Sequence, residues 1–394
     1  MPTIPTDSDA LLAVLLLAVL AFIAGDFGTR IIRRTLVAIG AIDIPSERSS
    51  HRRPTPRGGG IVVALAGSGA TIVSWAAGWM TDRFAFALLG GGLIVATIGL
   101  LDDLRGLRWR HRLLAQFAAA SWALYWIGGF PILDLGLARI PIGSLGIPLA
   151  LLGIVWGTNF FNFMDGIDGI AATEAAFAGV VGGTLLLMAG RLGLAAVALA
   201  TACAAAGFLR HNWAPARVFL GDVGSTWLGF TLCVIGVAGA NSRAVPMPVW
   251  GLLLGVFVFD ATLTLVRRVR QGFPVHLAHR EHAFCRATRW GWSHARVTAA
   301  VAVLNGALAT LAVVAWARRP LILPAVGLGL LVLTLAYLWV EVRYPMDRPP
   351  PRRGRRLLLL PREHSRSLAI TAPITTPLPS PVPGTPTDDL PLAS

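Results

Sequence analysis

The sequence predicts an all-α, polytopic membrane protein with about eleven transmembrane helices and with its chemistry gathered in cytoplasmic loops. Three observations carry that prediction. The chain is 55% hydrophobic and only 14% charged over 394 residues; its apolar residues fall in long uninterrupted runs; and its basic residues fall between those runs. A soluble globule of this size would not stay dispersed with so few charges, so lipid is the expected solvent.

The first apolar runs lie near 10–25, 61–80, 84–101, 113–133 and 146–164. Six more lie near 169–190, 192–209, 223–240, 247–266, 297–317 and 320–340. Runs of roughly 16–22 residues suit an α-helix crossing ~30 Å of hydrocarbon. Helix is the expected state because backbone groups in lipid must bond within their own segment. The first run lacks a basic leader, carries Asp7 and Asp9 instead, and shows no small-residue cleavage pattern. It is read as a retained helix rather than a signal peptide.

No lysine occurs, so all 34 basic residues are arginine, and the formal charge is +14 at pH 7. Assigning alternate loops to opposite faces puts 28 arginines on one side and 6 on the other. The positive-inside rule makes the rich face cytoplasmic and the N-terminus external. Division of the arginines among short loops also argues against nucleic-acid binding. Residues 1–344 are expected to form the transmembrane catalytic domain. Residues 345–394, with seven prolines between Ala372 and Ser394, read as a disordered, basic cytoplasmic tail. Cys203 and Cys233 sit in apolar runs and Cys285 in a basic loop, which suggests neither a disulfide framework nor a zinc site.

The inner loops hold nearly every carboxylate outside the termini. Asp102 and Asp103 end the third run and are followed by Arg105, Arg108, Arg110 and Arg112. Adjacent acids repel unless a cation lies beside them, so the pair points to Mg²⁺ or an arginine cluster. A second element, Asn159-Phe-Phe-Asn162-Phe-Met-Asp165-Gly-Ile-Asp168-Gly169, joins the fifth and sixth runs. Its asparagines and acids are spaced by three, and its glycines let backbone approach a ligand. Polar groups at such a junction are costly in a membrane and usually functional.

A third element, Asn212-Trp-Ala-Pro215-Ala-Arg217-Val-Phe-Leu-Gly221-Asp222-Val-Gly224-Ser225, leads into the eighth run. It places Asp222 near a helix N-terminus, where N–H groups and the macrodipole favour anions. Basic elements complete the set. Arg48, His51 and Arg57 precede Gly58-Gly59-Gly60, and His279-Arg280-Glu281-His282 lies in the last inner loop. Glycine-rich backbone beside arginine can cradle phosphate oxygens, and histidine can pair with phosphate or move a proton. Asp260 and, less strongly, Glu174 stand inside apolar runs, where an acid marks a site or a partner.

In this order the elements RSSHRRPTPRGGG, LLDDLRGL, NFFNFMDGIDGIA, NWAPARVFLGDVGS and HREH resemble the polyprenyl-phosphate N-acetylhexosamine-1-phosphate transferase family over residues ~30–300. The likeness is to the branch that starts O-antigen and related polysaccharides more than to the peptidoglycan branch. It implies transfer of a sugar-1-phosphate from a UDP-sugar to undecaprenyl phosphate with release of UMP. It also implies Mg²⁺, with Mn²⁺ as the alternative ion, and leaves a homodimer open.

By the same resemblance Asp222 is the expected metal ligand, with Asn162 beside it. Asp102, Asp103, Asp165 and Asp168 are the expected catalytic acids. Arg48, His51, Arg57, Asn159, Asn162, Asn212, His279, Arg280 and His282 are expected to hold substrate. Relatives often continue the last motif with further histidines, whereas Ala283, Phe284 and Cys285 follow His282 here. A transporter or lipid flippase is the competing class, and it would need polar residues spread through several helices. A CDP-alcohol phosphotransferase would need an arginine soon after Asp168-Gly169, and a prenyl synthase a third acid at Gly106. Neither is present.

Overall fold

All eleven apolar runs are helical in the computed structural model of the chain, which describes residues 8–45, 53–274 and 279–346. Arg48, His51 and the tail from residue 347 lie outside the described residues. The chain opens with α1 (Ser8–Ala38), the short strands β1 (Ile42–Asp43) and β2 (Thr55–Pro56), α2 (Ile61–Ala76), α3 (Asp82–Arg105) and α4 (Trp109–Ile127). A hairpin of β3 (Ile132–Asp134) and β4 (Arg139–Pro141) leads to α5 (Gly146–Met164), α6 (Ile170–Met188), α7 (Leu192–Asn212) and α8 (Gly221–Asn241). Then come α9 (Met247–Leu253), α10 (Gly255–Arg270), α11 (Ala283–Arg289), α12 (His294–Ala317) and α13 (Ile322–Arg343).

By length and apolar composition, eight of the described helices can cross a membrane: α1, α3, α5, α6, α7, α8, α12 and α13. The pair α9 and α10, bent by 84°, is a ninth when the two are counted as one broken span and a re-entrant loop otherwise. The two remaining runs are α2, only 16 residues long, and α4, which carries Arg110, His111, Arg112 and Gln116. The protein is thus an all-α, multi-pass membrane protein, and the few strands among the described residues form two small antiparallel pairs.

Helix α8 is the axis of the bundle and is buried along nearly its whole length. Small residues let its neighbours come close, as helices do in lipid where no hydrophobic force drives them together. A Cβ on Gly99 of α3 would lie 2.7 Å from both the Asp222 carbonyl oxygen and Val223 Cα, and one on Gly229 of α8 would lie 2.5 Å from the Gly157 carbonyl oxygen of α5. Helix α1 instead turns Leu12, Leu15, Leu16, Val19, Leu20 and Ile23 outward. So large an apolar face suits contact with lipid and not with water.

Both acids inside apolar runs have structural partners. Glu174 on α6 is fully buried and accepts a 2.6 Å hydrogen bond from Asn305 Nδ2 on α12. Asp260 on α10 accepts the Ala283 N–H at 3.0 and 2.9 Å and the Thr264 hydroxyl at 2.9 Å. It thereby fixes the start of α11.

Candidate active site

Two glycine-rich loops far apart in sequence form the floor of the site. The Phe219 N–H donates to the Pro56 carbonyl at 2.8 Å, the Gly59 N–H to Phe219 at 2.9 Å and the Gly60 N–H to Leu220 at 2.8 Å. Gly58 and Gly221 have φ of +100° and +77°, a region side chains rarely enter. A Cβ on Gly221 would also sit 2.5 Å from Asp103 Oδ2 and 2.7 Å from the Gly58 nitrogen. The glycines therefore permit the contact that brings Arg57 to the N-terminus of α8.

Asp103, at the inner end of α3, caps that N-terminus. Its oxygens accept the N–H groups of Asp222 at 2.8 Å and Val223 at 3.0 Å. Orphan donors at a helix start are thus satisfied by a neighbouring helix. Arg57 Nε lies 2.8 Å from Asp103 Oδ1, and its guanidinium also bonds Asp222 Oδ1. Arg112, in the first turn of α4, reaches Asp102 Oδ2 at 2.6 Å and Asp222 Oδ2 at 2.9 Å. Asp102 Oδ1 accepts the Leu107 N–H at 2.5 Å, which closes the turn between α3 and α4.

Two arginines thus stitch three acids into one network with Asp222 at its centre. The Asp102, Asp103 and Asp222 side chains are only 8%, 2% and 9% exposed, whereas Arg57 and Arg112 are 38% and 31% exposed. The acids are enclosed and the guanidinium edges remain open, so an incoming anion meets the arginines first. Burial works against the charge on Arg57, but Asp222 and Asp103 outweigh it and raise its pKa.

Asp165, just past the end of α5, faces the same cluster. Burial, and then the charge of Asp222, push its pKa up to about 8. It makes no side-chain hydrogen bond among the described residues. Asn162, one turn earlier, lies beside Asp222 and donates to Ser225 Oγ at 3.1 Å. Asn159, a further turn into the membrane, donates to Gln116 Oε1 of α4 at 2.6 Å and to the Val155 carbonyl.

Asp168 and Asn212 are placed differently, each tying loops together. Asp168 accepts the Ala216 N–H at 3.0 Å and lies 3.3 Å from His294 Nδ1 of α12. Asn212 accepts the Gly169 N–H at 3.0 Å and donates to the Val218 carbonyl at 2.9 Å. They hold the turn that presents Asp165 against the loop that presents Asp222.

The HREH motif forms a separate corner. His279 and His282 face each other at 4.7 Å between ring centroids, His282 is 3.7 Å from Asp260, and Glu281 pairs with Arg268. Arg280 lies between them in the chain. Burial, His282 and Arg268 press the pKa of His279 down to about 3, so it is neutral near pH 7. Among the described residues no hydrogen bond or ion pair joins this corner directly to Asp222, but Phe284 packs against the turn after Asp165: a Cβ on Gly166 would meet its ring at 2.9 Å.

Among the described residues no three His, Cys, Asp or Glu side chains close around a single metal-sized point. Mg²⁺ does not require such a cage. It commonly takes one or two carboxylates and completes its shell with water and substrate phosphates. Asp222 with Asn162, and Asp165 with no hydrogen-bonded side-chain partner among the described residues, fit that donor set. Arg112 was one of four arginines noted after Asp102-Asp103 and Ser225 closed the third element, whereas Gln116 and His294 were not singled out in the sequence. The only available signal was helical spacing, which puts Gln116 one turn beyond Arg112 on the face of α4 that meets α5.

Acids fixed by arginines at one end of a membrane bundle define a multi-pass membrane enzyme. Residues 85–240, which include most of this network, match the family described as glycosyl transferase family 4. Curated relatives extend the match over most of the chain. A probable undecaprenyl-phosphate N-acetylglucosaminyl 1-phosphate transferase of Bacillus subtilis (strain 168) is 29% identical over 293 residues, covering 71% of this chain and 78% of the relative. A decaprenyl-phosphate N-acetylglucosaminephosphotransferase of Mycobacterium tuberculosis (strain CDC 1551 / Oshkosh) is 30% identical over 321 residues, covering 72% and 78%. An undecaprenyl-phosphate alpha-N-acetylglucosaminyl 1-phosphate transferase of Yersinia pestis is 27% identical, covering 72% and 79%. The chain belongs to glycosyl transferase family 4 and is a membrane-embedded transferase.

Proposed function

We propose that the protein transfers an N-acetylhexosamine-1-phosphate from a UDP-sugar to undecaprenyl phosphate and releases UMP. The reaction would initiate a cell-envelope polysaccharide such as O-antigen, at the cytoplasmic face of the bacterial inner membrane. The observation that carries this reading is the convergence of Arg57, Asp102, Asp103, Arg112, Asp165 and Asp222, drawn from four separate loops, at one helix N-terminus. The names of the relatives supply the substrate class. The arginine-rich side of the membrane supplies the orientation, with the N-terminus outside.

Both reactants are anions, so the first task is to offset their repulsion. Arg57 and Arg112 present their open edges to phosphate oxygens, and release of one acid contact frees each guanidinium to turn toward substrate. Asp222, with Asn162 and Asp165, would hold Mg²⁺, which when bound supplies positive charge to the diphosphate. The α8 N-terminus adds its dipole in the same direction. A phosphate monoester with a second pKa near ~6 is largely dianionic at neutral pH, so its oxygen can attack the β-phosphorus without a strong base. The phosphorus–oxygen bond to UMP breaks, and UMP leaves with that oxygen.

The acceptor's chain also has a place to lie. A cavity of about 440 Å³ between α10, α12 and α13 is lined by Val256, Phe259, Phe284, Val301 and Leu333, and also by Met164, the residue before Asp165. An apolar cavity with a wall next in sequence to Asp165 suits a polyprenyl tail. The test is UMP release by purified protein in detergent from a panel of UDP-N-acetylhexosamines, with and without undecaprenyl phosphate and Mg²⁺. Release that depends on both lipid and metal supports the transferase and names its sugar. Silence across the panel in folded protein would refute it and move a transport function to first place.

A further inference from the structure

A separate, polar cavity of about 530 Å³ lies between α1 and the inner end of α7, lined by Asp26, Arg30, Arg33, Arg34, Arg210, His211 and Arg217. Asp26, Arg30, Arg33 and Arg34 share one face of α1 because they recur at helical spacing. The wall opposite is fixed. A Cβ on Gly207 of α7 would lie 2.8 Å from the Asp26 nitrogen, and one on Gly25 of α1 would run into the Ala204 carbonyl. The two helices therefore touch backbone to backbone, and the cavity is held open by the side chains above that contact.

Charge sets what can enter. Asp26 is the only acid lining the cavity, and three groups already hold it: His211 Nε2 at 2.8 Å, Arg30 at 2.7 Å and Arg210 at 3.2 Å. Arg33, Arg34 and Arg217 have no carboxylate partner among the described residues. Five arginines against one acid give an excess of positive charge that only an anion can balance.

Position narrows the choice. Helix α1 has 31 residues, a length of about 46 Å, against ~30 Å of hydrocarbon. Its last turns, which carry Arg30, Arg33 and Arg34, must emerge at the level of the lipid headgroups. Arg33 and Arg34 are exposed there. No hydrogen bond or ion pair among the described residues joins the lining side chains to Asp102, Asp103, Asp165 or Asp222, so this is a site apart from the acid–arginine network.

We propose that this cavity binds the phosphodiester headgroup of an anionic phospholipid, which is neither donor nor acceptor of the transferase reaction. Binding there also reaches the active-site loop. The Arg217 N–H donates to the His211 carbonyl at 2.8 Å, and the chain continues directly from Arg217 to Phe219 and Leu220, which pair with the glycine loop, and on to Asp222. A headgroup held by Arg217 stiffens the segment that presents Asp222.

The test measures lipid retention by native mass spectrometry on full-length protein released from nanodiscs of phosphatidylcholine doped with phosphatidylglycerol, or with undecaprenyl phosphate in its place. Wild type is expected to retain phosphatidylglycerol over phosphatidylcholine. The Arg33→Gln/Arg34→Gln variant, altered only at exposed positions, should weaken that retention about thirtyfold, roughly 1 kcal/mol per arginine at tenfold per ~1.4 kcal/mol. Its transfer activity in neutral lipid should be unchanged while stimulation by phosphatidylglycerol is lost. Equal retention by variant and wild type would overturn the proposal. So would a preference of the cavity for undecaprenyl phosphate that the same two substitutions abolish, which would make it an acceptor subsite. Because retention is read without turnover, the result stands whether or not the transferase assignment does.

Discussion

Asp222→Asn separates catalysis from folding more sharply than any other change in the site. The substitution keeps size and one acceptor oxygen but removes the charge at which Arg57 and Arg112 meet, and it turns an NH₂ group toward one guanidinium. Removing one partner of a buried ion pair usually costs about 3–5 kcal/mol, because the other charge is stranded. Here neither arginine is stranded: Arg57 keeps Asp103 at 2.8 Å and Arg112 keeps Asp102 at 2.6 Å. Both arginines also keep an edge in solvent, which screens the loss. The stability cost should therefore fall to about 1–2 kcal/mol. Transfer should fall much further, by about a thousandfold or more, since the charge that organises the phosphate-binding groups is worth ~4 kcal/mol of barrier. The assay is UMP release at saturating Mg²⁺ beside thermal unfolding of the same preparation. A folded variant within about tenfold of wild-type activity would refute the central role of Asp222.

Arg112→Gln leaves Asp102 and Asp222 facing each other without their shared cation. It should lower thermal stability in EDTA, and added Mg²⁺ should restore more stability to the variant than it adds to wild type; an equal response would count against a metal at this place. Gly221→Ala must force a side chain into positive φ and against Asp103 Oδ2, so it should remove activity at normal membrane yield or reduce yield itself, as read by fluorescence-detected gel filtration. Asp168→Asn should act through the turn it holds, lowering stability while a residual transfer rate keeps its wild-type dependence on Mg²⁺; a changed metal dependence would place Asp168 among the ligands. His279 has its pKa lowered from 6.5 to about 3. The unfolded chain therefore binds the proton first, and stability is lost as pH falls through 6.5 toward about 3. His279→Gln should flatten that part of an acid-unfolding curve.

Much of this architecture was legible in the sequence because lipid imposes one rule on all eleven runs: backbone groups must bond within the segment. The positions of Asp102, Asp103 and Asp222 at helix ends followed from where apolar runs stop. What could not be read was partnership. Arg112 is one of four arginines after Asp103, and only the turn at Gly106 and the start of α4 decide that it, and not Arg105, Arg108 or Arg110, meets Asp222. The same holds for Asp26 and His211, which are 185 residues apart and bond at 2.8 Å. Asp168 and Asn212 carry the same residue types as their neighbours in the motifs, yet backbone geometry turns them toward loop carbonyls and N–H groups. The break between α9 and α10 was likewise invisible, since the run across Leu254 is uniformly apolar.

The bond between Arg57 and Asp222 spans 165 residues, and this separation orders the assembly of the site during synthesis. A chain inserted only as far as α4 already contains the partners Arg57 with Asp103 and Arg112 with Asp102, two balanced pairs with no common member. Only the peptide bond between Asp102 and Asp103 links them in that intermediate. Arrival of α8 adds a third carboxylate that both arginines can share, together with two backbone N–H groups for Asp103. One late helix joins two neighbouring ion pairs through a shared carboxylate, so the complete network of two arginines and three acids requires residue 222.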